Sequence, residues 1–78
     1  MALLETEIPI QKLNSGAVAT VASLQGSSSE IARLAELGVR RGARIQVIRK
    51  GRPCIIQLGA TRMCIRPSRD LRILVFPE

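Results

Sequence analysis

Two cysteines ten residues apart, three consecutive serines and a scatter of carboxylates are the only side chains placed to do chemistry, and there is no histidine. Without an imidazole, histidine acid–base catalysis and imidazole metal ligation are excluded. Ser27, Ser28 and Ser29 have no such base to activate a hydroxyl, and they stand just ahead of an apolar-periodic run, so they read as helix-capping residues. Cys54 and Cys64 form no CxxC pair. The glycines spell neither a GxGxxG nor a P-loop pattern, and the carboxylates show no spacing that would pair an acid with a base. The chain is therefore expected not to be an enzyme, and no residue is assigned to a cofactor or a metal.

What remains is charge and shape. The 78 residues carry a formal net charge of +6, and the charge is lopsided. Residues 1–38 hold two cations and four carboxylates, net −2, whereas residues 39–78 hold ten cations and two carboxylates, net +8. A basic half of this kind either solubilises the chain or attracts nucleic acid, anionic lipid or an acidic protein. Nucleic acid is disfavoured, because Phe76 is the only aromatic available for stacking and the one helix carries only Arg33 as a base. The opening Met-Ala-Leu-Leu-Glu-Thr-Glu lacks the basic region and long apolar run of a signal peptide or membrane span. A cytoplasmic chain with both thiols reduced is expected.

The elements that must position any binding residues are organised around Ser27–Lys50. Ser27 and Glu30 have the spacing of a capping box, with each side chain satisfying a backbone N–H. Ile31, Leu34 and Ala35 follow as one apolar stripe to lay on a sheet. Gly38 stands where a helix stops in the left-handed conformation. Val39 to Gly42 form a turn, and Arg44-Ile45-Gln46-Val47 alternates as a half-buried strand does.

On either side, residues 1–7 read as a loose acidic leader. Ile8 to Leu13 reads as a single helical turn with Pro9 in its first turn, ended by Asn14-Ser15-Gly16. Ala17 to Leu24 alternates as the first strand, with Ala19 and Val21 inward and Val18 and Thr20 outward. Cys54–Leu58 and Thr61–Ile65 form a hairpin about Gly59-Ala60, a two-residue loop that favours a primed turn. Leu58 then faces Thr61, Ile56 faces Met63 and Cys54 faces Ile65, which sends Cys54 and Cys64 to opposite faces, so they neither bridge nor share a metal. Leu71 to Phe76 closes the chain. The expected fold is a single mainly β domain over residues 1–78, with a core over about 8–76. It is a small five-stranded antiparallel barrel that closes on itself, with one short helix between strands one and two and a helical turn near the N-terminus.

In order and spacing, the chain resembles the FeoA family. Leu13-Asn14-Ser15-Gly16, then Ala19 and Val21, Arg33-Leu34, Glu36-Leu37-Gly38-Val39, Gly42 and Ile45-Gln46-Val47 carry the resemblance. Met63-Cys64-Ile65-Arg66 and Ile73-Leu74-Val75 extend it, so that it covers Ile8 to Val75. The resemblance implies an SH3-like barrel acting in bacterial ferrous iron uptake. It also implies a protein-interaction module for FeoB, a membrane GTPase-transporter, through which the chain would reach the inner membrane. Two alternatives remain open: a basic small-barrel nucleic-acid-binding protein, and a direct transition-metal-binding domain like the SH3-like domain of iron-dependent repressors, using Cys64 across a dimer. Turns on a rigid scaffold are where binding residues collect. The expected partner surface is therefore Glu36, Leu37, Val39, Arg40 and Arg41, on the helix end and the turn after it, with Gly16, Gly38 and Gly42 as structural turn residues. Glu36 sits where the helix dipole disfavours a carboxylate, so capping does not explain it. Local pairing of Glu36 with Arg33 or Arg40, and burial of Leu37 beneath the helix, are the competing expectations.

Overall fold

Short β-branched runs separated by glycine turns pair here into one antiparallel sheet. The computed structural model describes residues 6–78, so most of the leader expected over residues 1–7 lies outside the described residues. The strands are β1 (Ile8–Pro9), β2 (Val18–Gln25), β3 (Arg44–Arg49), β4 (Cys54–Leu58), β5 (Thr61–Ile65) and β6 (Arg72–Pro77). A 3-10 turn spans Ile10–Lys12, and the one α-helix among the described residues, α1, spans Ser28–Glu36. The strand order across the sheet is β1-β6-β2-β3-β4-β5.

Two expectations are corrected. Among the described residues there are six strands, not five, because Ile8 and Pro9 pair with Val75 and Leu74 instead of opening a helical turn. Pro9 can do this because β1 is an edge strand, where a residue without an N–H leaves no ladder bond unmade. The helical turn is correspondingly shorter and closes with Leu13 N–H on Ile10 O at 3.0 Å. The barrel also does not close its ladder, since β1 and β5 end the strand order and no pairing joins them among the described residues.

The core is aliphatic and comes from the sheet itself. Ile10, Ala19, Val21, Ile45, Val47, Ile56, Ile73 and Val75 are all essentially inaccessible and fall in one cluster. No residue of α1 is fully buried; Leu34 only packs against the cluster's flank. With no second layer to cover it, the inner face of the sheet must curl until its own side chains meet. Irregularities supply the bends. The β2–β6 register shifts between Val21 and Ser23, and the β3–β4 register between Val47 and Arg49. These leave Ala22 and Ile48 as extra residues. The β2 bulge breaks the simple alternation expected for that strand, so Val21 and Ala22 are neighbours and both buried.

The hairpin register matches the sequence expectation: Cys54 faces Ile65, Ile56 faces Met63 and Leu58 faces Thr61. Gly59 has φ of 60° and Ala60 a negative φ, the pattern of a primed turn with glycine first.

The helix begins as expected at Ser27, whose Oγ accepts from Glu30 N–H at 3.2 Å. The reciprocal half of the capping box differs, because the Glu30 carboxylate accepts from the Ser27 hydroxyl at 3.0 Å. At the other end, Gly38 N–H reaches Ala35 O at 3.0 Å and Val39 N–H reaches Leu34 O at 2.8 Å. This is a Schellman stop with a glycine at φ 97°. A Cβ on Gly38 would lie 2.6 Å from Leu58 Cδ2, whereas one on Gly42, at φ 91°, would meet open space. Gly38→Ala is therefore expected to cost more than Gly42→Ala, with each losing at least about 1 kcal/mol through the positive φ alone. Melting curves of both, repeated in a Leu58→Ala background, check this. The gap between the two should narrow once Leu58 is truncated, and an unchanged gap would refute the contact.

Candidate partner-docking surface

The residues expected to meet a partner lie on the helix end and the turn that follows. The Schellman geometry divides them. The residue two positions past the last helical turn packs back on the helix flank, and here that residue is Val39, at 0% exposure in the core beside Leu34. Val39 is thereby removed from the candidate surface. Leu37, the cap residue, points the other way and is 51% exposed, the one exposed large apolar side chain among the described residues. The exposure expected of Leu37 as a surface residue is thus met, and the competing expectation of its burial is overturned by the same motif that buries Val39.

Glu36, Arg40 and Arg41 are exposed. Glu36 makes no ion pair with Arg33 or Arg40; the one ion pair among the described residues joins Arg44 to Glu78. Arg40 to Ala43 is a tight turn, with Ala43 N–H on Arg40 O at 2.9 Å and Gly42 supplying the positive φ at the third position. Val21 anchors this turn from β2, since its N–H reaches Ala43 O and its carbonyl accepts Gly42 N–H, both at 2.8 Å. The arginines therefore sit on a fixed base. Gly16 also has a positive φ, 93°, and its N–H bonds Val47 O at 2.7 Å.

Leu37 belongs to a groove that the sequence reading missed. The groove lies between α1 and β5, holds about 470 Å³, and is floored by Leu34, Leu37, Ile65 and Leu71. Arg33, Arg66 and Glu30 rim it, and Cys64 opens onto it. Arg40, Arg41 and Glu36 are not among its lining residues. Its available signal was the Ile31–Leu34–Ala35 stripe continued one turn to Leu37. All of that stripe is at best half-buried, so part of it is left to face outward.

The electrostatics are those of a solvated surface. No polar or charged residue is buried among the described residues. Arg44 holds Glu78 with two bonds, Nε to Oε2 at 2.7 Å and Nη2 to Oε1 at 3.1 Å. The hydrogen bond and charge of Arg44 hold the Glu78 carboxyl below its ordinary range. The pair stabilises above the usual carboxylate range and is lost as pH falls through the depressed value. Both groups are exposed, so the increment is small. Glu78→Gln is expected to flatten the fall in melting temperature between neutral pH and about pH 3; parallel curves for the two proteins would refute the pair's contribution.

Both thiols are free, Cys54 buried and Cys64 exposed, and burial pushes the Cys54 thiol up from its ordinary value. A disulfide reagent is expected to modify one thiol at once in the native protein and the second only on unfolding. A Cys64→Ser chain that still reacts at once would overturn that assignment. Among the described residues no three of His, Cys, Asp and Glu come together. The donor set therefore does not fit a structural metal site.

Six short antiparallel strands around an aliphatic core, with one flanking helix among the described residues, define a small SH3-like β protein. The model of the FeoA domain matches residues 8–75. The chain belongs to the FeoA family, which is linked to ferrous iron transport.

Solved structures agree. An iron uptake regulatory protein, FeoA, is 25% identical over 94% of this chain and 100% of its own, with a TM-score of 0.81. FeoA of Chlorobium tepidum is 26% identical over 90% of this chain and 70% of its own, also at 0.81. FeoA of Stenotrophomonas maltophilia is 32% identical over 87% of this chain and 88% of its own, at 0.71. That protein was solved with zinc and described as a prokaryotic SH3 domain protein and a candidate activating factor of bacterial ferrous iron transport. No match is found among curated protein sequences.

Proposed function

We infer that this chain is a non-enzymatic accessory protein of ferrous iron uptake, working in the cytoplasm as an interaction module for the cytosolic part of a FeoB-type GTPase-transporter. The observation that carries this reading is Leu37, a large apolar side chain half exposed at the mouth of a groove whose other floor residues are also aliphatic. An apolar anchor ringed by charged groups is the arrangement that concentrates binding energy in protein interfaces. Arg33 and Arg66 on the rim, with Arg40 and Arg41 on the adjoining turn, would steer an acidic partner and set its orientation. Family membership supports the transport context, and the S. maltophilia protein's description as a candidate activating factor fits a chain that acts on a transporter and does not itself transport.

A reading as a resident metal carrier has no gathered donor set among the described residues to support it, and a nucleic-acid reading has only Phe76 for stacking. The test is calorimetric titration of the cytosolic part of a FeoB-type transporter from the same organism. Wild type is expected to bind, and Leu37→Asp to weaken binding by at least about ten-fold. Its melting temperature should barely change, since the side chain is exposed. Arg40→Glu with Arg41→Glu is expected to reduce binding most at low salt. A Leu37→Asp chain that binds as wild type would overturn this surface, and a wild-type chain that does not bind would overturn the partner.

A further inference from the structure

A second concentration of unpaired charge lies where the loop after β3 meets the 66–71 loop, whose ends, Arg66 and Leu71, line the groove. β3 ends in Arg49, and the loop to β4 carries Lys50, Gly51, Arg52 and Pro53. Two adjoining depressions meet at this loop. One, of about 510 Å³, has Ile10, Cys54 and Pro67 in its floor and Lys50, Arg52 and Arg69 on its rim. The other is lined by Arg49, Lys50 and Arg52 with Pro53 and Ile55. No carboxylate lines either depression, and none of the four cations is in an ion pair among the described residues. Asp70 follows Arg69 in the chain but lines neither depression.

We propose that this end of the protein docks directly on an anionic membrane surface. Arg49, Lys50 and Arg52 form a run at the end of β3 and the loop after it, and the fold brings Arg69 to them from the 66–71 loop. The 50–53 loop is held in place, because Lys50 N–H donates to Ser15 Oγ at 3.0 Å. The backbone that carries Lys50 is thereby tied to the Asn14-Ser15-Gly16 turn. Their aliphatic stems can lie over the apolar floor while the charged heads reach lipid phosphates. Four clustered cations are the low end of what holds a protein to an anionic leaflet, each being worth roughly five-fold in partitioning.

A nucleic-acid duplex is the less suited polyanion. α1, the helix that could enter a groove, is not part of this end of the molecule. The location also leaves the Arg40–Ala43 turn accessible. The Arg40–Ala43 turn precedes β3 and the basic loop follows it, which separates them by a six-residue strand, roughly 20 Å. The protein can thus lie on lipid at one end and present the Arg40–Arg41 turn at the other. This inference does not depend on the identity of the protein partner.

The experiment is flotation of the purified chain with vesicles of phosphatidylcholine alone and of phosphatidylcholine mixed with phosphatidylglycerol, over a range of salt. Retention is expected only on the mixed vesicles and should fall as salt rises. Lys50→Gln with Arg52→Gln should lower the partition coefficient roughly 25-fold, and Arg69→Gln, on the other loop, roughly five-fold. Arg62→Gln with Arg72→Gln removes the same charge as the first variant from outside both depressions and should leave partitioning nearly unchanged. Circular dichroism establishes that each variant is folded. Equal retention on neutral vesicles, or an equal loss from the two double variants, would overturn the proposal. So would tighter binding to a random-sequence DNA duplex than to the mixed vesicles at the same salt, lost in the Lys50/Arg52 variant.

Discussion

The structure turns on the three residues Leu37, Gly38 and Val39. Gly38 takes a backbone conformation that side chains rarely adopt, which lets Val39 N–H close on Leu34 O and drops the Val39 side chain into the core. That exit fixes the phase in which the chain enters β3. β3 is paired on both sides, by β2 and β4, and its phase sends Ile45 and Val47 inward while Arg44 and Gln46 face water. A slip of one residue would exchange those faces and bury an arginine. The same glycine makes room for Leu58 at the end of β4. Helix, central strand and hairpin therefore meet at one position where only a glycine fits without strain.

Around that point, the sheet has to supply its own core. Each buried aliphatic side chain contributes about 1.5–3 kcal/mol, while each ordered residue costs about 1–2 kcal/mol of backbone entropy. A chain this short therefore has little to spare on polar burial. It spends none among the described residues: no polar or charged group is buried, and no buried side-chain nitrogen or oxygen lacks a partner. The cost of curling is met by the bulges at Ala22 and Ile48, which tighten the twist where the sheet must bend. With every charge left outside, the net +6 is available to the surface alone. Only Arg44 and Glu78 neutralise each other by direct contact among the described residues.

Much of this was legible in the sequence where a local rule had no competitor. The hairpin register followed from a two-residue loop and a demand that Arg62 stay out of the core, and the pairing of Cys54 with Ile65 agrees. The helix stop and the turn at Gly42 followed from glycine chemistry and agree as well. What escaped was non-local. Ile8 and Pro9 look like a helix start until Val75 and Leu74 arrive from the far end of the chain to pair with them. No glycine or proline marks the bulges at Ala22 and Ile48. At the candidate surface, Glu36, Arg40 and Arg41 are exposed as expected, but of the two apolar residues placed there Leu37 is exposed and Val39 is buried. Counting apolar residues could not separate those two; following the Schellman hydrogen bonds to the residue they carry inward does. The groove escaped because it needs β5 and Leu71 beside the helix, a juxtaposition that no single stretch encodes.

The open ladder leaves two edges, and the chain treats them differently. β1 is two residues long and contains a proline, which together give a neighbouring strand almost nothing to pair with. β5 is five residues long, contains no proline and leaves Thr61, Arg62 and Cys64 exposed. Its protection comes from charge at Arg62 and Arg66 and from α1, which stands across the groove from it. A helix that packed tightly would have sealed that edge. This one contributes no fully buried residue and leaves about 470 Å³ between itself and the strand. A groove therefore lies beside the longer unpaired edge and the one exposed large aliphatic side chain among the described residues. That coincidence puts main-chain hydrogen-bonding groups, an apolar floor and rim charges within reach of one another, which are the three ingredients by which sheet edges recognise extended partners.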